Sequence, residues 1–79
     1  MSNSLKHFIL KAETRQLYRS LLRTAGKVAD SNQRRELRQW IRAEFELHRA
    51  DTDLDSIKAA LANGKQAKSK LEQMISSST

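Results

Sequence analysis

The apolar positions of this chain recur at spacings of three and four, the period of a helix face, almost from end to end. Across residues 4–29 they are Leu5, Phe8, Ile9, Ala12, Leu17, Tyr18, Leu21, Leu22, Ala25, Val28 and Ala29, read together as one stripe. Ser4 is placed to cap that helix, and Gly26 weakens its last turn. Residues 32–49 put Leu37, Trp40, Ile41, Phe45, Leu47 and His48 on one side, with Asp30 or Ser31 as the cap and Trp40 and Phe45 read as core. Over residues 53–75, Leu54, Ile57, Leu61, Gly64, Lys68, Leu71 and Ile75 follow heptad spacing, flanked by Ala60, Ala67 and Met74. Thr52 or Asp53 can cap this third helix, and the acids at Asp51, Asp53 and Asp55 suit its positive end. Residues 76–79 read as a polar, disordered tail. Connections of only a few residues make neighbouring helices antiparallel. The pattern predicts an all-α, antiparallel up-down-up three-helix bundle, with residues 1–79 as a single domain.

Composition supports this reading and limits what the bundle can be. The chain has 79 residues, no proline and two glycines, and is dominated by strong helix formers. A domain this short buries only roughly 60% of its unfolded surface. It has no cysteine to staple it, and two histidines, His7 and His48, are too few for a histidine zinc site. A small unstapled scaffold usually gains stability from a partner. Residues 1–50 carry eleven basic and five acidic groups, whereas residues 51–79 are balanced, so the net charge of +6 sits on the first two thirds. Such a field attracts nucleic acid, anionic lipid or an acidic protein.

The third helix has a weak middle. Gly64 and Lys68 stand where a tight seam would carry leucine, and Ala60 and Ala67 do not refill the volume. Two explanations stay open: a close helix–helix approach with the Lys68 stem lying along the core, or a slot kept for an apolar guest.

The charged residues are also patterned. Arg15, Arg19 and Arg23 repeat every fourth residue, Lys27 continues the row, and Arg34, Arg35, Arg38, Arg42 and Arg49 follow. A charge run is often only a solvated face. Here few acids are interleaved, and the guanidinium fork suits bidentate binding of carboxylate or phosphate. Tyr18 borders this row and is expected to pack in the core with its hydroxyl at the rim. Glu13 and Glu44 do not make an acid/base pair, and no nucleophile triad, phosphate loop or metal-ligand spacing is present. The chain is therefore expected not to be an enzyme and to need no cofactor of its own.

No apolar run approaches the ~20 residues of a membrane span, and a surface-lying helix is disfavoured if the bundle consumes the apolar stripe. Residues 1–12 hold Lys6, His7 and Lys11 but no acid, like part of a mitochondrial presequence or an ordinary basic first turn. The apolar pattern runs on from them, so they are expected to stay on the protein.

Leu17-Tyr18-Arg19-Ser20-Leu21-Leu22-Arg23 resembles the LYRxLLR stretch of the LYR-motif family. Trp40-Ile41-Arg42-Ala43-Glu44-Phe45 resembles that family's second-helix signature, and Arg49 matches its basic residue four positions beyond the phenylalanine. Leu5-Lys6-His7-Phe8, Ile57, the Gly64 region and Lys70-Leu71-Glu72 extend the resemblance over roughly residues 5–75, towards a branch associated with respiratory complex I. Glu46 departs from the pattern, since several members are basic there, which puts one ionic contact in doubt.

The resemblance implies a mitochondrial adaptor, in the matrix or on the matrix side of the inner membrane. Its implied partner is the acidic mitochondrial acyl carrier protein, whose acyl-4'-phosphopantetheine enters the bundle. The pair would serve a respiratory assembly, complex I foremost, as accessory subunit or assembly factor, with no DNA partner. Under that reading Arg15, Tyr18, Arg19, Arg23, Arg42 and Arg49 meet the carrier and its phosphopantetheine, and Leu17, Leu21, Leu22, Trp40, Phe45, Leu61 and Gly64 line the acyl slot. The rival expectation is a basic helical protein bound to RNA or the mitochondrial ribosome through phosphate contacts, although no aromatic platform or nucleic-acid module is visible.

Overall fold

The computed structural model describes residues 2–78, which form three helices: α1 (Ser2–Ala25), α2 (Ser31–Arg49) and α3 (Leu54–Ser78). They make an elongated bundle of 48 × 19 × 15 Å. α1 is central, packing along both α3 and α2, while α2 and α3 barely touch. Leu17 lies against Gly64, and the His7 ring meets the Thr52 carbonyl, so α1 and α3 run parallel. The Arg34 guanidinium donates to the Val28 carbonyl at 2.8 Å, and the Lys11 ammonium to the Arg49 carbonyl at 2.8 Å, so α2 runs back along α1. This is the up-down-up order.

The caps follow from side-chain chemistry. Asp30 has extended backbone (φ −73°, ψ 122°), and its carboxylate accepts from the Asn32 and Gln33 amides at 2.9 and 3.0 Å. Asp53 does the same for α3, accepting from the Ser56 amide at 3.0 Å. Neither Ser31 nor Thr52 takes that role.

Four expectations change at the ends of the first and third helices and at Trp40. Ser4 does not flank α1 but lies inside it, because the helix already runs at Ser2. α1 ends at Ala25 rather than 29, since Gly26, Lys27 and Val28 turn into tighter bonds, Lys27 and Val28 reaching back three residues to Thr24 and Ala25 at 3.0 and 3.1 Å. Lys27 therefore sits in the turn and leaves the arginine row. α3 continues through Ser78, so the described part of the polar tail is helical, with the Ser77 hydroxyl donating to the Gln73 carbonyl at 2.7 Å; residue 79 lies outside the described residues. Trp40 is 52% exposed and not core.

The core runs through Tyr18, Leu21, Ala25, Val28, Ile41 and Leu71, with Leu21 and Ile41 the most deeply enclosed large side chains. The α1 apolar residues do not form one stripe. Ile9 and Tyr18 are nine residues apart, two and a half turns, and so face opposite ways. Leu5, Phe8 and Ile9 accordingly remain exposed while Tyr18 and Leu21 are buried.

At Gly64 close approach explains the missing side chain. A Cβ there would lie 2.5 Å from Leu17 Cδ2, so the glycine's space is already filled by α1. Lys68 is half-buried beside this seam. Replacing Gly64 by leucine should overpack the α1–α3 contact and cost about 1–3 kcal/mol. Asp30→Ala should cost about 1 kcal/mol through loss of the α2 cap. Both should appear as lowered midpoints in thermal melts followed by circular dichroism.

Candidate functional site

Three consecutive residues sit at the centre of the site because successive helical side chains point about 100° apart. Leu17 turns to α3 and packs on Gly64. Tyr18 turns to α2, its ring meeting Phe45 edge-on at 5.3 Å and 64°. Arg19 is left outside, exposed. One turn on, Leu21 and Leu22 divide in the same way, Leu21 facing the gap towards α3 and Leu22 the groove towards α2.

These directions divide the surface into hollows around the Tyr18–Phe45 pair. A groove of about 450 Å³ between α1 and α2 has Tyr18, Leu22, Ile41 and Phe45 as its floor, and Arg15, Arg19, Arg42, Arg49 and Glu46 around it. A slot of about 220 Å³ lies where α2 and α3 fail to meet, walled by Leu21, Trp40, Ala60, Gly64 and Ala67, with Tyr18, Glu44, His48 and Asn63 completing it. A third hollow of about 290 Å³ lies by Lys11, Thr14, Arg15, Phe45, His48, Arg49, Ile57 and Ala60. It shares Arg15, Phe45 and Arg49 with the groove, and His48 and Ala60 with the slot.

The expected cationic set is thus largely brought together: Arg15, Tyr18, Arg19, Arg42 and Arg49 share one groove, whereas Arg23 is exposed and outside it. Arg34 and Arg38 are half-buried and serve the α1–α2 turn, Arg34 at Val28 and Arg38 beside Gly26. Glu46, the departure from the family pattern, lies 3.5 Å from Arg49. Both are well exposed, so their attraction is screened and weak.

The expected acyl-lining set separates. Leu21, Trp40 and Gly64 wall the slot, Leu22 and Phe45 belong to the arginine groove, and Leu17 and Leu61 line none of these three hollows. Leu17 is taken up by Gly64, and Leu61 is buried. Ala60 and Ala67, read from the sequence as leaving the volume beside Gly64 unfilled, do line the slot. Glu44, His48 and Asn63 were not foreseen there, because polar residues carry no comparable signal.

His48 lies between two carboxylates, 3.8 Å from Glu44 and 3.7 Å from Asp51. The Ser56 hydroxyl donates to Asp51 and, with His48, holds that carboxyl below the ordinary range, against the opposing effect of burial. Burial pushes the Tyr18 phenol upward, and the Glu44 carboxylate adds to the shift. Among the described residues no group of histidine, cysteine and carboxylate side chains could hold a metal ion, and no helix is long and apolar enough to cross a membrane.

Comparison with known proteins follows the same residues. The family described as Complex 1 protein (LYR family) matches residues 12–73. The chain is similar to LYR motif-containing protein 2 of Danio rerio, 37% identical over 71 residues, covering 90% of this chain and 77% of the relative. It is 31% identical to that of Salmo salar, over 91% and 80% of the two chains. The Homo sapiens protein is 29% identical over 91% and 82%. No solved structure matches at a significant level.

Tyr18 is the chain's single tyrosine, so its titration can be followed directly by phenolate absorbance. The folded midpoint should lie above 10.0 and return to the ordinary value in denaturant. Because the folded value is the raised one, the linked stability is complete below the unfolded midpoint and is lost as pH rises through the folded one.

Proposed function

The chain belongs to the Complex 1 LYR protein family, and from that premise we propose that it is a non-catalytic mitochondrial adaptor for acylated acyl carrier protein. The observation that carries the reading is the pairing, around Tyr18, of an arginine groove with a slot walled largely by small and apolar residues. An acidic helical carrier docks its carboxylates, or the phosphate of its phosphopantetheine, against Arg15, Arg19, Arg42 and Arg49. Charge-assisted bonds to guanidinium are the strong ones, and a phosphate or carboxylate takes two at once. The pantetheine arm passes the Tyr18–Phe45 wall, and its acyl chain enters the slot against Leu21, Trp40, Ala60 and Ala67.

The slot offers an apolar chain the small residues Ala60, Gly64 and Ala67 of α3 and the exposed tryptophan of α2, with Asn63, Glu44 and His48 as the polar part of its lining. Each methylene withdrawn from water contributes about 0.8 kcal/mol, so even a short chain adds a large fraction of a small domain's stability. The slot of about 220 Å³ lies open where α2 and α3 hardly touch, so a longer chain can run on along that gap. The loaded pair then acts as accessory subunit or assembly factor of a respiratory complex. Complex I is favoured because the family's description names it.

Co-expression with the mitochondrial acyl carrier protein, followed by intact-mass measurement, should recover a one-to-one complex carrying acylated phosphopantetheine. Arg19→Glu with Arg42→Glu should weaken it by about a hundredfold or more, at ~1.5–3 kcal/mol per lost charged contact. Arg23→Glu, outside the groove, should change it by no more than a few-fold. Ala67→Leu should leave the chain folded but exclude the acyl chain, removing the blue shift expected of Trp40 fluorescence on loading. A chain that ignores the carrier but binds RNA with a steep salt dependence would be the basic RNA-binding protein instead.

A further inference from the structure

We propose that the outward face of the first turns of α1 is a docking surface for an anionic membrane. Leu5, Phe8 and Ile9 are 63%, 68% and 47% exposed. Their spacing of three and four places them on one face, half a turn away from the buried face of Tyr18 and Leu21. The bundle therefore leaves this stripe unused. His7 and Lys11, on the inward side of the same turns, reach the Thr52 and Arg49 carbonyls, which anchors this part of α1 with its apolar face turned away from the body.

Charge selects the occupant. Exposed Lys6 borders the stripe on one side, and exposed Arg15, about two turns beyond Phe8, continues it on the other. No acid occurs before Glu13, and Arg19 and Arg23 follow along the outer surface. A second copy of this chain would set one +6 molecule against another, so self-association is opposed. The occupant must be both apolar and anionic. Three side chains projecting from a single convex helix offer no pocket for a shaped partner, but they suit a lipid interface, which accepts protruding apolar groups to a depth of about 5–10 Å and rewards flanking cations. Leu5, Phe8 and Ile9 line none of the three hollows, whereas Arg15 and Arg19 border both this surface and the arginine groove.

The test is flotation of the full chain with vesicles of phosphatidylcholine and phosphatidylserine, against vesicles of phosphatidylcholine alone. The chain should float with the anionic vesicles, far less with the neutral ones, and less as salt rises. Leu5→Ser with Phe8→Ser should reduce partitioning by about tenfold or more, and Lys6→Glu by roughly fivefold or more. Melting curves of both variants should match the parent, because these side chains are exposed. In a Trp40→Phe background, Phe8→Trp should blue-shift on adding anionic vesicles, a readout that needs no loss of function. Absence of flotation overturns the proposal, as does flotation that survives the Leu5/Phe8 double change. If that change abolishes capture by an acidic protein while the parent ignores vesicles, the face is a protein-docking surface and the proposal fails.

Discussion

Both α2 and α3 depend on α1, and hardly on each other. In a bundle of three equal contacts each helix would shield the other two. Here the inward face of α1 has to hold two neighbours with residues that alternate in direction, Leu17 and Leu21 towards α3, Tyr18 and Leu22 towards α2. The close seat of Leu17 on Gly64 draws α3 in on one side, and the Tyr18–Phe45 edge contact, worth about 0.5–1.5 kcal/mol beyond its buried area, draws α2 in on the other. The gap between α2 and α3 follows from that division. It is the reason a tryptophan stands half in water on an otherwise ordinary helix.

The Leu-Tyr-Arg run then has a geometric meaning. Three successive side chains on a helix cannot face one surface, so one residue meets each of three environments: a neighbouring helix, the core, and the solvent-facing groove. Arg19 shares that groove with residues from the far helix, Arg42 and Arg49, so the cationic field belongs to the joint between two helices and to neither alone. Glu46 sits inside the same field and tempers it at Arg49.

Much of this was legible in the chain. Helix number, order and polarity followed from apolar period and short connections, and each cap was narrowed to a pair, Asp30 or Ser31 and Thr52 or Asp53, of which the fold uses the acid. Arg15 and Arg19 could be placed from every-fourth-residue spacing, whereas Arg42 and Arg49 joined them through the family resemblance. What could not be read was phase. Leu5, Phe8 and Ile9 keep the same local spacing as Leu17 to Leu22, yet the intervening residues shift the stripe by half a turn, and only the fold shows which half is covered. Gly64 was equally ambiguous, because a missing side chain marks either an empty space or a neighbour already in it. Leu61 and Leu17 were drawn towards the slot by their type, although burial and a single close contact take them elsewhere. The end of α1 escaped for a different reason: Val28 is apolar and buried, as a helical core residue would be, but it reaches the core from a tightened turn.

The two ties at the ends of α2 have a mechanical consequence. Arg34 fastens one end to the Val28 carbonyl, and Lys11 fastens the other at the Arg49 carbonyl. The ties set where the helix begins and ends against α1 and leave its middle, where Trp40 faces the slot and Arg42 the groove, with α1 behind it and little of α3 in front. One short helix thus stands as the partition between a charged surface and a greasy one.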